Sequence, residues 1–444
     1  MVIGHVTHDS ARIWLSGDAQ HTQLQASLTA GGQSHTQAVN TDSERDFTGV
    51  LEFYGLQADT LYTVRSQERT GSFRTFPRPD SRAPFRFLLN SCNFHGWGPI
   101  RSHARACRRR LELVGDCRFG LHVGDQIYAD QPWPCLTRED FRQAYRRVWQ
   151  QPDTQRLFAN LPNYMIADDH EVLDGFAWDG SFTLYQRLVM AVRGQFRPSP
   201  QLYHQLASNG MQTFDEFQSC HGPRTYEPAR YFSFSYGEHQ FFALDLRFER
   251  QLRQGRMISE AQMEALFEWL LRHRDRPKFV ITSSPFVVEK IKASEKWCGP
   301  EFSQQRHRII EFLALHSLRN VVFLSGDIHA SCHAEMDIED ARGHYFTLHE
   351  LCASPLNGTL QRPLDSFHSQ SQRTTENGTR YRVRLDRDSF LGRPRWGGTS
   401  NSALMLVSVD GDRVGYELHR TRRKDAQPAR SGSFQLPVIE SALV

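Results

Sequence analysis

Over the first 77 residues apolar and polar positions alternate in short runs: ARIWLSG from Ala11, LQASLTA from Leu24, VLEFYGL from Val50, LYTVRSQ from Leu61 and GSFRTF from Gly71. A period of two, with Gly, Asp and Asn between the runs, predicts antiparallel strands that each bury one face, and hence a small β-sandwich. Pro77, Pro79 and Pro84 then fall within eight residues, which predicts a stiff extended linker and a domain boundary. From residue 85 to the end at 444 the texture changes to compact apolar runs: FRFLLN (Phe85 to Asn90), FGLHV (Phe119 to Val123), YMIA (Tyr164 to Ala167), FFAL (Phe241 to Leu244), FVIT (Phe279 to Thr282) and VVFL (Val321 to Leu324). Segments of helical period separate them, so an α/β fold with central strands covered on both faces is expected.

Helices are predicted over Glu139 to Gln150, over Ser259 to His273 with Ser259 as N-cap, and over Ser303 to His316. The polar stretch from Glu339 to Ser400 is expected to be mostly loop. Ala403 to Val409 and Arg413 to Arg420 flank Asp410-Gly411-Asp412 and predict a closing hairpin, with a tail after it.

Composition narrows the classes. Lys plus Arg (53) nearly balance Asp plus Glu (50), so the charge of +3 gives no argument for a nucleic-acid or anionic-membrane surface. Arg108-Arg109-Arg110 and Arg420 to Lys424 read as solvated faces. No apolar run approaches the roughly 18 residues of a spanning helix. The chain begins MVIGHVTHDS, with His5, His8 and Asp9 where an export signal would be apolar, so a cytoplasmic location is expected. Eight cysteines without a C-x-x-C spacing suggest neither a disulfide framework nor a zinc ribbon.

The chemistry follows the apolar runs. Open α/β sheets gather ligands at the carboxyl ends of their strands. Here those ends carry Ser91-Cys92-Asn93, Gly124-Asp125-Gln126-Ile127-Tyr128, Asp168-Asp169-His170-Glu171, Asp245-Leu246-Arg247 and Ser325-Gly326-Asp327-Ile328-His329. If the fold brought Asp125, Asp169 and Asp327 together, the buried anions would raise one another's pKa unless cations joined them. A metal site is the simplest answer. Oxygen-rich donors with a thiol, a phenol and an imidazole suit a hard, highly charged ion beside a softer divalent one. Tyr128 would bind as phenolate only under a strong Lewis acid, for which iron(III) suffices. Asp125 is the expected bridge, holding two ions roughly 3.5–4 Å apart in the arrangement of in-line phosphoryl displacement.

Taken singly, these residues have plainer readings. Cys92 could be a buried thiol, Asp125 a turn former, Tyr128 a core residue and Asp168 to Glu171 an acidic helix start. Arg247 could simply pair with Asp245. His329, Cys332 and His333 could make a zinc cluster, though Cys332 is expected to be structural. Four positions after His170 stands Asp174, so no zincin motif is present, and neither a Walker loop nor a serine elbow occurs.

Together the blocks Ser91-Cys92-Asn93, GDQIYAD from Gly124, DDHEV from Asp168, LDLR from Leu244 and LSGDIHAS from Leu324 resemble the alkaline-phosphatase-D-like (PhoD-like) branch of the calcineurin-type metallophosphoesterases. Residues 1–77, with ARIW early and FRTFP closing, resemble that family's fibronectin-III-like N-terminal domain. The resemblance implies a sandwich of two mixed β-sheets flanked by helices over residues 85–444. It also implies a phosphomonoesterase or phosphodiesterase that uses metal-activated hydroxide on a small-molecule phosphoester. By the same resemblance Cys92, Asp125 and Tyr128 ligate iron(III), while Asp169, Asp327 and His329 serve the metals, with calcium, zinc or manganese as the partner ion. His170 faces the phosphate as a catalytic residue and Arg247 clamps it. Where the family's DDHE block is followed by an x-Asn-Asn pair, this chain has Leu173-Asp174-Gly175. Two rival classes are a binding module on a decayed phosphatase scaffold and a nuclease. The near-neutral charge disfavours the nuclease, and the sequence offers no membrane or protein partner.

Overall fold

The computed structural model describes residues 1–444 apart from 95–99, 193, 195–197, 293–294, 341, 359–360, 394–400, 424 and 438–444. Lys424, parts of the 339–400 stretch and the last seven residues of the expected tail therefore lie outside the described residues. Alternation in the first segment yields β1 (Val2–Val6), β2 (Ser10–Ser16), β3 (Gln23–Ala30), β4 (Gln33–Asn40), β5 (Thr48–Tyr54), β6 (Leu61–Ser66) and β7 (Arg69–Arg74). They form two antiparallel sheets, ordered β1-β2-β5 and β4-β3-β6-β7, so this region is all-β.

The proline segment does not leave this region hanging. Trp14 donates its indole N–H to the Glu216 carbonyl at 2.8 Å, and Arg12 donates to the Gly222 and Cys220 carbonyls at 2.9 and 2.7 Å. Phe76 is buried and packs on Tyr236 at 4.8 Å and Phe119 at 5.8 Å between ring centroids. One apolar core therefore runs from the first residues into the centre of the molecule.

The rest of the chain contributes β8 (Phe85–Asn90), β9 (Cys117–Val123), β10 (Asn163–Ile166), β11 (Phe232–Tyr236), β12 (His239–Ala243), β13 (Lys278–Ile281) and β14 (Val321–Ser325), then β15 (Cys332–Glu339), β16 (Tyr345–Cys352), β17 (Gln370–Thr374), β18 (Arg380–Leu385), β19 (Ala403–Asp410), β20 (Arg413–Arg420) and β21 (Arg430–Gln435). Two mixed sheets result, ordered β10-β9-β8-β19-β20-β21 and β11-β12-β13-β14-β16-β15-β18-β17. They face each other through aromatic rings: Phe87 and Phe119 of the first lie 5.9 and 5.5 Å from Phe241 of the second.

The helices are α1 (Ile100–Leu113), α2 (Arg138–Trp149), α3 (Pro152–Phe158), α4 (Leu184–Val192), α5 (Pro200–Phe217), α6 (Glu260–Arg272) and α7 (Ser303–Leu315). On the outer faces, Met263 and Leu266 of α6 and Ile309 and Ile310 of α7 join Phe242, Val280 and Phe323 in a second core. Phe141, Tyr145, Phe214 and Phe217 of α2 and α5 cover Met165 in a third. Ser259 caps α6 by accepting from the Gln262 N–H at 3.1 Å, as its position predicts.

What positions the site is strand direction. β8, β9 and β10 are mutually parallel, as are β12, β13, β14 and β16, so in each sheet their carboxyl ends share one edge. The polar stretch is mostly outside the sheets among its described residues, as expected, although β16, β17 and β18 within it extend the second sheet. The structure corrects two expectations. Residues 430–435 form β21 rather than tail, paired to β20. Arg110 is fully buried rather than solvated.

Candidate active site

Local backbone chemistry builds the site before any side chain does. After β9 the chain turns at Gly124, whose φ is +95° and whose missing Cβ would lie 2.4 Å from the Asp168 Cβ. Gly326 after β14 has the same necessity, since a Cβ there would lie 2.3 Å from the Ser91 hydroxyl oxygen. Ser91 thereby joins the two sheets: its hydroxyl donates to the Ala353 carbonyl at 2.9 Å and receives the Asp327 N–H at 3.3 Å. Cys92, Asp125, Asp327 and His329 all hold left-handed backbone, with φ of 52, 57, 67 and 54°. An L-residue there costs roughly 1–2 kcal/mol. Strain at four candidate ligands marks a shape that surrounding packing enforces.

Glu171, fully buried, is the brace. Its carboxylate accepts from the Asp125, Gln126 and Asp168 N–H groups at 2.9, 2.7 and 2.8 Å, tying the ends of β9 and β10 together. The 3-10 turn Asp169–Glu171 follows, and Asp169 accepts the Gly175 N–H at 2.8 Å. One ligand atom each from Asp125, Asp169 and His170 lies within 4.8 Å of the others. The Tyr128 hydroxyl lies 3.5 Å from the Asp125 carboxylate, and its ring stacks on His170 at 4.1 Å. Cys92 sits against the Ser91 and Ser354 hydroxyls at 3.4 and 3.2 Å. Asp125 and Asp327 both act on its thiol, so the two carboxylates share one surrounding.

Protonation follows from burial. Burial, then Asp125 and Asp327, push the Cys92 thiol well up, and burial raises Tyr128 and Asp125 in the same way. Asp168 is pushed up to about 7 by burial, against the pull of Arg247. Burial also works against ionising Asp169, but Arg247, His170 and Lys296 overcome it and hold this carboxyl below its usual range. His170 is the converse. Burial alone would lower its pKa, yet Asp130, Asp125 and Asp169 outweigh it and keep the ring protonated well above its ordinary value. Its Nδ1 meets the Asp130 carboxylate at 2.8 Å, which fixes the ring and leaves Nε2 as its working atom.

Metal ions are not the only cations open to this cluster. The protein supplies cations of its own: Arg247 pairs with Asp168 and approaches Asp169 at 3.8 Å, and Lys296 pairs with Asp327 and with Glu295 at 3.1 Å. Arg250 is buried beside them. Even so, Asp125, Asp130, Asp168, Asp169, Glu171, Asp174, Glu295 and Asp327 outnumber Arg247, Arg250, Lys296 and the protonated His170 eight to four. Buried polar atoms also lack a hydrogen-bond partner in the protein, among them Asp168 Oδ2, Asn93 Oδ1 and both terminal nitrogens of Arg247. These donors fit cations beside Asp125 and an anion beside Arg247. The thiol, phenol and carboxylate of Cys92, Tyr128 and Asp125 suit a hard trivalent ion. Asp169, Asp327 and His329 suit a divalent one.

The sequence-predicted residues thus fall in one region. Cys92, Asp125, Tyr128, Asp169 and His170 form its centre, Asp327 and His329 flank Cys92, and Arg247 lies behind Asp168. Tyr128, His170, Asp327 and His329 are the half-buried members, which puts the opening on their side. The guanidinium of Arg247 turns to Asp168 and not to Asp245, whose carboxylate instead caps its own turn by accepting the Arg247 and Phe248 N–H groups. Cys332 is buried in the second core, away from any cluster with His329. Sequence reasoning missed Asp130, Glu171 as a brace, Lys296 and Ser354. Asp130 was within reach, as the last residue of GDQIYAD, whereas nothing around Lys296 marks it.

Strand ends of two facing mixed sheets that converge on carboxylate, thiol, phenol and imidazole donors define a metallophosphatase fold. Residues 87–390 match the PhoD-like phosphatase family, and the chain belongs to it. Alkaline phosphatase D of Bacillus subtilis (strain 168) is 22% identical over 339 residues, covering 65% of this chain; the chain spans about half, 54%, of that relative's length. A solved structure of PhoD superposes with a TM-score of 0.72 at 15% identity, over 100% of this chain and 92% of that one. Purple acid phosphatase PPD1 from yellow lupin (Lupinus luteus) seeds gives 0.62 at 12% identity, over 98% of this chain and 73% of its own.

Proposed function

We propose that the protein is a metal-dependent phosphoester hydrolase, acting on phosphomonoesters or phosphodiesters through a dinuclear centre. The observation that carries this reading is the convergence of Cys92, Asp125, Tyr128 and Asp169 with His170 at one sheet edge, in a chain of the PhoD-like family. Cys92, Asp125 and Tyr128 would hold an iron(III) ion, and Asp169, Asp327 and His329, with Asp125 shared, would hold a divalent partner such as calcium, zinc or manganese. When bound, the ions would supply Lewis acidity to activate water and to offset charge on the phosphoryl oxygens. Arg247, held by Asp168, offers to a phosphate oxygen terminal nitrogens that make no hydrogen bond within the protein. His170, held protonated by Asp130, delivers the Nε2 proton to the leaving alkoxide. Residues 1–77 form a fibronectin-III-like domain and 85–444 the PhoD-like metallophosphatase domain.

The test is turnover of aryl phosphate mono- and diesters by protein loaded with iron together with calcium, manganese or zinc. Asp125→Asn should lose metal and activity together, whereas His170→Ala should lose at least ~100-fold in turnover with metal retained. Loss of metal from the His170 variant would contradict its role as proton donor. A wild-type protein that takes up no metal and hydrolyses nothing would favour the binding module.

A further inference from the structure

We propose that His333, Glu335 and His349 form a second cation site, separate from the phosphoesterase centre, which takes a divalent transition metal of the zinc class. His333 and Glu335 stand two apart on β15 and share a face, and antiparallel pairing sets His349 of β16 directly opposite Glu335. One ligand atom from each lies within 4.8 Å of the others. His333 Nε2 and His349 Nδ1 are 3.1 Å apart, and the nearer Glu335 oxygen is 3.8 Å from His349 Nδ1.

These spacings suit a metal. Two imidazole nitrogens bound at about 2.0–2.1 Å with tetrahedral geometry lie about 3.3 Å apart. The two rings are inclined by only 17° with centroids 5.4 Å apart, and Nε2 of His333 faces Nδ1 of His349 in a hydrogen bond; tautomers that carry their hydrogens on the outer nitrogens leave both lone pairs to a metal. Glu335 is half-buried, and rotation of its side chain closes the remaining distance. The exposure on its side leaves room for water as a fourth ligand.

The surroundings hold the ligands in place. His333 and His349 are both buried. The outer nitrogen of His333 faces the Asp386 carboxylate at 3.6 Å, which in turn accepts the Tyr416 hydroxyl at 3.3 Å. A carboxylate behind a histidine orients the ring of a ligand. Arg384 holds the far oxygen of Glu335 at 2.9 Å, leaving the near one to the histidines. Phe434 of β21 lies parallel to both rings, 3.9 Å from His349 and 5.1 Å from His333, and seals one side. Two nitrogens and one carboxylate select zinc, cobalt or nickel over calcium and magnesium. The two groups share no residue: Asp125, Asp169 and His170 close on one another in one, and His333, Glu335 and His349 in the other.

Cobalt(II) is the probe. Full-length protein stripped of metal and titrated with Co2+ should bind one equivalent more than His349→Gln, with a tetrahedral absorption band missing in that variant. Asp125→Asn should keep this equivalent, because its lesion is in the other centre. Glu335→Gln, a change of one half-exposed atom, should weaken Co2+ at this site about tenfold or more and serves if the histidine variants misfold. Equal cobalt content and spectra in wild type, His349→Gln and Glu335→Gln would overturn the proposal, leaving only a hydrogen bond between two histidines. Loss of the band in Asp125→Asn would overturn its separateness.

Discussion

Replacing Glu171 by glutamine changes one atom at the junction that holds the site loops together. In the wild type one carboxylate oxygen accepts the Asp125 and Asp168 N–H groups at 2.9 and 2.8 Å, and the other accepts the Gln126 N–H at 2.7 Å and the Gln218 amide at 3.2 Å. The glutamine can aim its carbonyl at either pair. Facing Asp125 and Asp168, it sets its NH2 against the Gln126 N–H and the Gln218 amide. Gln218 can turn over, because its own Oε1 is buried without a partner and can accept that NH2. The Gln126 N–H has no such remedy. One buried backbone donor therefore loses a charged acceptor, which costs about 1.5–3 kcal/mol. The opposite orientation strips two backbone donors and is disfavoured. Urea unfolding of the metal-stripped protein measures this directly: the midpoint should fall by an amount that, multiplied by an unchanged slope, returns about 1.5–3 kcal/mol. A loss below ~0.5 kcal/mol, the range of an ordinary surface substitution, would refute the view that Glu171 braces the loops.

Other consequences are testable in the same way. Asp130→Asn should lower turnover and move the alkaline limb of kcat/KM toward acid: His170 is an acid whose folded pKa stands above 6.5, so its proton is lost as pH rises through that value, and without Asp130 this happens earlier. An unmoved limb would rule out His170 as proton donor. Lys296→Met should destabilise the metal-free protein by about 1–3 kcal/mol, because the half-buried Asp327 loses its cation, and metal should restore most of this. Equal losses with and without metal in thermal melts would count against Asp327 as a ligand. Tyr128→Phe should abolish the visible charge-transfer band of the iron(III) protein and, since burial keeps the phenol protonated, should release one proton fewer on metal loading in weakly buffered solution. A variant as coloured as the wild type would remove the phenolate ligand.

Legibility in the sequence followed burial. β8, β9, β10, β12, β13 and β14 are buried on both faces, so each left a compact apolar run, and the residues after those runs are the site. β18 is legible in retrospect, since Tyr381, Val383 and Leu385 alternate with exposed or half-buried arginines. β4 and β17 are almost wholly exposed and left no apolar signal. β15 carries Ala334, Met336 and Ile338 on one face, but its other face holds His333, Glu335 and Asp337, whose partners come from β16, β18 and the chain beyond. α5 is diluted by His204, Gln205, Asn209, Gly210 and Gln212. The non-local pairings were beyond reach for a different reason. Asp130 meets His170 across 40 residues, Lys296 meets Asp327 across 31 and Arg247 meets Asp168 across 79. No local pattern encodes such distances in sequence; only the convergence of parallel strand ends creates them.

Anomalous scattering from crystals of the iron- and calcium-loaded protein tests the account most directly. Iron density bounded by Cys92, Asp125 and Tyr128, with a second ion against Asp169, Asp327 and His329, is the expected result. Crystals in which Lys296 still pairs with Asp327 and no ion touches Asp125 would contradict it.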